Sequence, residues 1–312
     1  MTLVIHRPGL LTTVQDLGRF GFGAFGIPPS GAMDTLALRI GNRLVGNADD
    51  AAGLEFTLSG PEIELERDAW IALVGARFET HLDGHEAPER ESFLVRRGQV
   101  LSVGRALDGA RGVLAVGGGI EVPRVLGSRA TLLAAGFGGL EGRALRGGDR
   151  LAFGEHTKGR RRRIARPALL AADASEQPLR VVGGPQQEAF SPAGRSVFYS
   201  SLYSVSTRSD RMGIRLEGPS IERAKSADLP PEGIAPGSIQ VPADGLPIVL
   251  GVDRPTTGGY TKIATVVTVD LGRLAQAKPG DRLRFAEVSV DEARRLWRER
   301  EELLRSAIAE VS

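Results

Sequence analysis

Glycine and proline cut this chain into short pieces: 41 glycines and 18 prolines in 312 residues separate runs rich in Val, Ile, Leu and Phe. Residues 70–74 (WIALV), 112–116 (GVLAV), 248–252 (IVLGV) and 263–269 (IATVVTV) are each bounded by Gly, Asp or Pro. Apolar runs of that length between breakers read as strands, because a helix of the same length would bury too little. Few helical stretches remain to serve as crossovers, so a doubly wound sheet is disfavoured. The expected fold class is mainly β, a β-rich α+β chain closing into barrels or sandwiches with a few helices.

Two helices stand out. Residues 31–45 place Met33, Leu36, Ala37, Ile40 and Leu44 on one stripe, with Ser30 as the expected N-cap and Gly46 as a left-handed stop. Residues 290–311 open on a capping box, Ser289 with Glu292, and carry Ala293, Leu296, Trp297, Leu304, Ala307, Ile308 and Val311 as a stripe. Arg300 interrupts that stripe, which predicts a surface helix.

At about 150 residues per domain the length suggests two domains. The halves share phrases: LSGPEIEL (58–65) returns as LEGPSIER (216–223), and GRALRGGDRLAF (142–153) as GRLAQAKPGDRLRF (272–285). An ancient duplication follows as an expectation, without strand-for-strand equivalence. The predicted layout is an N-terminal β-rich domain over 1–157, a linker over 158–178 and a C-terminal domain over 179–312.

Composition removes several classes of function. Hydrophobic and charged fractions of 41% and 25% are globular, and no apolar run approaches the ~18 residues of a membrane helix. The start, MTLVIHRPGLLTT, lacks a signal peptide's apolar core, so a cytoplasmic protein is expected. With no cysteine, disulfides, thiolate metal sites and Cys nucleophiles are excluded. Net charge is +2, and the one dense basic run, Arg160 to Arg163, has no interleaved aromatics; it reads as a solvated loop, with no nucleic-acid partner expected. His81 and His85 flank Asp83-Gly84, a turn rather than a helical zinc pair, and no metal is expected. Gly117 to Gly119 reads as a tight turn or bulge, or else as an amide nest for an oxyanion.

Two segments concentrate chemistry. In residues 10–34, glycines and prolines separate a Thr-Thr-Val strand from the first helix, and a loop entering a helix N-terminus can bind an anion. Arg19 is a candidate for a bidentate contact, Asp16 and Asp34 for fixing donors or accepting a proton, and Ser30 and Gly31 for lining the helix start. The structural alternative is that the glycines serve turns and Arg19 pairs with Asp16. In residues 237–276, Asp253, Arg254, Thr256, Thr257, Tyr260 and Lys262 fall within ten residues, in or next to a turn between apolar strands. That is more chemistry than a connector needs, although Asp253 and Arg254 could simply pair. Asp210 and Arg211 form a turn of the same kind.

The segments GLLTTVQDLGRFGFGAFGIPPSGAMD, GNRLVGNADDAAGLEFTLSGP, SDRMGIRLEGP and GSIQVPADGLPIVLGVDRPTTGGYTKIATVVTVDLGRLAQAKPGD resemble the biotin-dependent carboxyltransferase family. It is also called allophanate hydrolase subunit 2 or KipA-like and includes the C subunit of 5-oxoprolinase. The resemblance runs from about Leu3 to Phe285. It implies two related cyclophilin-like β-barrel domains in a protein that works with two partners, a KipI-like B component and a LamB/YcsF-like A component. The implied activity is ATP-dependent opening of 5-oxoproline to glutamate, with ATP bound together with the partner subunit. Two alternatives stay open under the same resemblance: transfer of carboxylate from carboxybiotin to urea or a related amide, and a regulatory role binding a KipI-like kinase inhibitor. The chain carries no Met-Lys-Met biotinylation site and no amidase signature. In either reaction negative charge develops on a carbonyl oxygen, for which Arg19, Arg211, Arg254 and Lys262 are the candidate cations, with Asp34 or Asp253 as base or orienting group.

Overall fold

In the computed structural model, residues 2–155, 159–166, 169, 177–224 and 228–311 are described. The chain divides into two compact units, Met1–Arg19 with Ser30–Ala172 and Glu301–Ser312, and Phe20–Pro29 with Asp173–Arg300. The loop at 20–29 and the last dozen residues thus each group with the unit farther away in sequence. Of the expected linker, residues 158, 167, 168 and 170–176 lie outside the described residues.

The first unit stacks two sheets and a helix. One sheet runs Ile120–Glu121, Arg150–Phe153, Thr2–Arg7, Glu62–Leu65, Val100–Ala106, Phe78–Leu82 and His85–Glu86; the other runs Leu11–Gln15, Gly53–Thr57, Arg111–Val116, Ala69–Gly75 and Ser92–Val95. The strand Arg111–Val116 is buried throughout, and the two-residue period explains why. Leu114 and Val116 face the core shared with Ile5, Ile63 and Phe153, whereas Val113 and Ala115 face the first helix. Helix α1, Thr35–Val45, lays Ala37, Leu38, Ile40 and Leu44 on that second face. Each fully buried Leu or Ile there contributes about 1.5–3 kcal/mol of transfer free energy. Gly46, at φ 80°, stops the helix as expected, but its start is corrected: Asp34, not Ser30, is the N-cap, its carboxylate accepting from the Ala37 amide at 2.9 Å. Ser30 and Gly31 have φ of 56° and 89°, which no helical turn accommodates.

In the second unit eight strands follow the order Arg282–Leu283, Tyr203–Val205, Gly213–Glu217, Ile248–Leu250, Ser238–Gln240, Lys262–Val266, Leu179–Gly183 and Phe285–Glu287. The first and last strands of that order are separated in the chain by one residue, Arg284, so the sheet curls almost into a closed barrel. Leu179, Val181, Ile239, Val249 and Ile263 are fully buried. Helix α2, Pro192–Ser200, is capped by Ser191 and stacks Phe198 on Phe285 with centroids 4.8 Å apart. A separate two-stranded ribbon pairs Asp228–Gly233 with Thr257–Tyr260. The short helix α3, Leu271–Ala275, follows the strand Lys262–Val266.

Helix α4, Val290–Arg305, ends six residues before the expected boundary. Leu304 is its buried residue, and Trp297 is 46% exposed. Beyond it, Ile308–Glu310 pairs antiparallel with Arg162–Ile164, so sheet hydrogen bonds replace the last helical turn. The basic run is accordingly no solvated loop: part of it is this strand, and Arg161 and Arg160 pair with Glu91 and Glu310. Arg39 forks onto Glu301 through two 2.8 Å bonds, tying α1 to the returning C-terminus. No helix among the described residues is long and apolar enough to cross a membrane.

The repeated phrases recur as turns more than as topology. Asp149 accepts from the Arg146 amide at 2.7 Å and Asp281 from the Lys278 amide at 2.9 Å, with Gly148 and Gly280 at φ 91° and 90°. Yet Glu62–Leu65 is a strand while residues 220–223 contribute only an isolated bridge at Arg223.

Candidate functional site

In the first unit the candidate residues hydrogen-bond to the backbone around them. Asp16 accepts from the Gly18 amide (2.7 Å), the Ser128 hydroxyl (2.6 Å) and the Arg129 amide (2.6 Å). It therefore does not pair with Arg19, correcting that expectation. Arg19 is 2% exposed, donates to the carbonyls of Ala130 and Val125, and stacks its guanidinium 4.9 Å from the Phe137 ring centroid. Ser30 donates to the Thr131 carbonyl at 2.9 Å. Gly31 needs its missing side chain: a Cβ there would lie 2.8 Å from the Gly18 nitrogen. At the mouth of α1, the buried Glu55 carboxylate accepts from the Met33 and Asp34 amides at 2.7 and 3.3 Å. The helix dipole favours a carboxylate there, and the protein supplies its own.

In the second unit the charges meet one another. Arg211 forks onto Asp253 through bonds of 2.8 and 3.2 Å, both side chains buried, and the Asp253 amide also binds the Arg211 carbonyl. The neighbouring Arg254 is not part of this pair, a second correction. Its Nε donates to the Ile234 carbonyl at 2.9 Å and its Nη1 to Gly251 at 3.3 Å, and burial lowers its pKa. Lys262 is 3% exposed and pairs its Nζ with Glu232, whose side chain is 43% exposed. That ammonium, with Gln186 donating at 2.6 Å to the same oxygen, holds the Glu232 carboxyl below its usual range. Asp210 closes its own turn by accepting from the Met212 and Gly213 amides. Thr256 lies just before the ribbon, Thr257 and Tyr260 are exposed on it, and Glu232 faces Gly258 across it.

The sequence reading missed Glu55, Glu232, Gln186 and Gln240. Glu55 had a signal, a carboxylate inside the apolar strand GLEFT. Glu232 had none of its own; only the question of which carboxylate meets a buried Lys262 leads to it. Gln240 sits opposite Lys262 in register, 6% exposed, with its amide nitrogen sealed and unpartnered among the described residues. At Gly117 to Gly119 the amides bind the Trp70 carbonyl, Asn47 Oδ1 and the Val116 carbonyl, which leaves no amide nest for an oxyanion. His81 and His85 lie on a hairpin turned by Asp83 and Gly84, both at positive φ.

A β-rich chain with a nearly closed barrel and a buried lysine that opens the strand after its two-stranded ribbon matches a class already described among known proteins. Residues 25–287 match the family described as carboxyltransferase domain, subdomain A and B, and the chain belongs to that family. It is 42% identical over 291 residues to the C subunit of 5-oxoprolinase from Escherichia coli (strain K12), covering 93% of each chain. It is 33% identical over 310 residues to urea amidolyase of Saccharomyces cerevisiae, covering 94% of this chain and 17% of that protein. Among solved structures, the urea amidolyase of K. lactis superposes on the whole chain with a TM-score of 0.92 at 29% identity, over 20% of its own length.

Proposed function

We propose that this chain is the C-type subunit of an ATP-dependent 5-oxoprolinase, inactive alone and completed by LamB/YcsF-like (A-type) and KipI-like (B-type) partners in the cytoplasm. The observation that carries the reading is coverage joined to identity: 93% of the bacterial C-type protein is matched at 42%, against 17% of a fused urea enzyme. The reaction opens the lactam of 5-oxoproline with water to give glutamate, at the expense of ATP.

In this reading Lys262 supplies the positive charge that meets the developing carbonyl oxyanion, with Glu232 as its partner between turnovers. Thr256, Thr257 and Tyr260 offer hydroxyl donors beside it. Arg211 and Asp253 neutralise each other and lock the 209–213 turn to residue 253, while Asp210 shapes that turn. Asp16, Arg19, Ser30, Gly31 and Asp34 act as positioning residues that fix the N-terminal loop and the start of α1. Neither glycine-rich segment singled out in the sequence is built to cradle a nucleotide's phosphates. No Lys-Ser or Lys-Thr follows the glycines of residues 21–26, the amides at 117–119 are spent, and no trio of His, Asp or Glu among the described residues is placed for a metal ion. ATP is therefore assigned to the partners.

A second reading, transfer of a carboxylate from carboxybiotin to urea or a related amide, draws on the urea amidolyase likeness. The same cation would then face the migrating carboxylate. Glutamate formation from 5-oxoproline and ATP, measured with this chain plus its A-type and B-type partners and with each pair, tests the first reading. Activity in the three-component mixture alone is the expected result. An assembled but inert mixture that carboxylates urea from carboxybiotin would replace the first reading with the second.

A further inference from the structure

Among the described residues, the buried charges of the second unit balance at every position but one. Arg211 is answered by Asp253, Lys262 by Glu232, and Asp270 by Arg180 and Arg273. Arg254, with 8% of its surface exposed, has no carboxylate within 4 Å among the described residues. A guanidinium cannot shed its proton at working pH, so its burial cost is not relieved by neutralisation. Two backbone carbonyls take one hydrogen from Nε and one from Nη1. Three of its five N–H donors remain, all on the Nη1–Nη2 end, and Nη2 still reaches accessible surface. With its Nε edge fixed by the Ile234 carbonyl, the side chain is held so that this fork is the part left to bind.

We infer that Arg254 is the receptor for the carboxylate of a small substrate, its missing counter-ion arriving with the ligand. This rests on the reading of the chain as part of a lactam-opening enzyme: 5-oxoproline bears one carboxylate besides the amide that is opened. Arg254 thereby binds the part of the substrate that does not react, and selects acidic lactams over neutral ones. A fork on a planar carboxylate gives two parallel, charge-assisted bonds, which Lys cannot reproduce.

Two measurements test it. The first is thermal unfolding of the full chain with 5-oxo-L-proline, pyrrolidin-2-one, which lacks the carboxylate, or acetate, at matched ionic strength. Wild type should be stabilised by 5-oxoproline and acetate and not by pyrrolidin-2-one. Arg254→Met should lose that response while its ligand-free midpoint stays level or rises, since it removes an uncompensated buried charge. The second is KM for 5-oxoproline in the assembled complex, expected to rise about tenfold or more in Arg254→Met and to recover only partly in Arg254→Lys. Stabilisation by pyrrolidin-2-one equal to that by 5-oxoproline, or an anion response that survives in Arg254→Met, overturns the inference. If the complex makes glutamate yet Arg254→Met keeps wild-type KM, the inference falls and the function stands. If the complex is inert while acetate stabilises wild type and not Arg254→Met, the carboxylate receptor stands and the function falls.

Discussion

The N-terminal loop with the mouth of α1 and the ribbon with its neighbouring turns carry similar stocks of charge and use them differently. In the first region, hydrogen bonds to main-chain groups engage Asp16, Arg19, Asp34 and Glu55. In the second, Arg211 meets Asp253, Lys262 meets Glu232, and Arg254 awaits a partner. A charge spent on its own backbone fixes a conformation and can be withdrawn only by unfolding the loop. A charge answered by another side chain can be exchanged for a ligand, provided one partner reaches solvent. Under the proposed function the contrast sorts these regions into one that holds shape and one that would handle substrate, and within the second it separates the buried Arg211–Asp253 pair from the half-open Lys262–Glu232 pair.

The hardest way to break that sorting is at the sealed pair. Asp253→Ala removes the carboxylate onto which buried Arg211 forks and should cost about 3–5 kcal/mol in urea unfolding, whereas Arg211→Met with Asp253→Leu should recover most of it. A loss under ~1 kcal/mol would mean that the pair is solvated and exchangeable after all. Next in size is Lys262→Met. The assembled complex should lose about a hundredfold in kcat, with little change in unfolding midpoint because the apolar stem is kept. Retained kcat would move the reacting carbonyl away from the ribbon.

Much of the scaffold is legible in the sequence because short-range chemistry decides it. WIALV and GVLAV lie within adjacent strands, Asp83-Gly84 turns a hairpin, and Gly46 ends α1. The site was legible as a list of residues but not as a set of partners. Asp253 and Arg254 are adjacent, yet Asp253 takes Arg211 from 42 positions away. Asp253 sits in a turn and its amide binds the Arg211 carbonyl, which brings the Arg211 side chain, and not that of the next residue, onto the carboxylate. Ser30 failed as a cap because its hydroxyl is taken by the Thr131 carbonyl, 101 positions distant, with the backbone turned left-handed. The exchange of residues 20–29 and 301–312 between units has no local signature at all.

Asp34 sharpens the comparison from the side of the first region. Asp34→Ala removes the α1 cap and should cost about 1 kcal/mol, while Asp34→Asn, which still accepts from the Ala37 amide, should cost less. KM for 5-oxoproline should stay at the wild-type value in both. A cap variant that raised KM without loosening the fold would bring the first region into substrate handling.

The smallest effect is the most telling about the half-open pair. Glu232 has its carboxyl pKa lowered from 4.5, chiefly by the hydrogen bond from Lys262. A carboxylate with a depressed folded pKa stabilises the fold above its unfolded pKa and loses that contribution as pH falls through the folded one, here below 4.5. With 43% of the Glu232 side chain exposed, solvent screening keeps the contribution under ~1 kcal/mol. Glu232→Gln should thus be slightly less stable than wild type at about pH 7, and the gap should narrow as pH falls below 4.5 in paired urea titrations. Small cost is what an exchangeable latch requires, since a carboxylate that held Lys262 as firmly as Asp253 holds Arg211 could not yield the ammonium to a substrate carbonyl. A gap as wide as that of Asp253→Ala would show Lys262 to be sealed, and the ribbon would then belong with the parts of the molecule that hold shape.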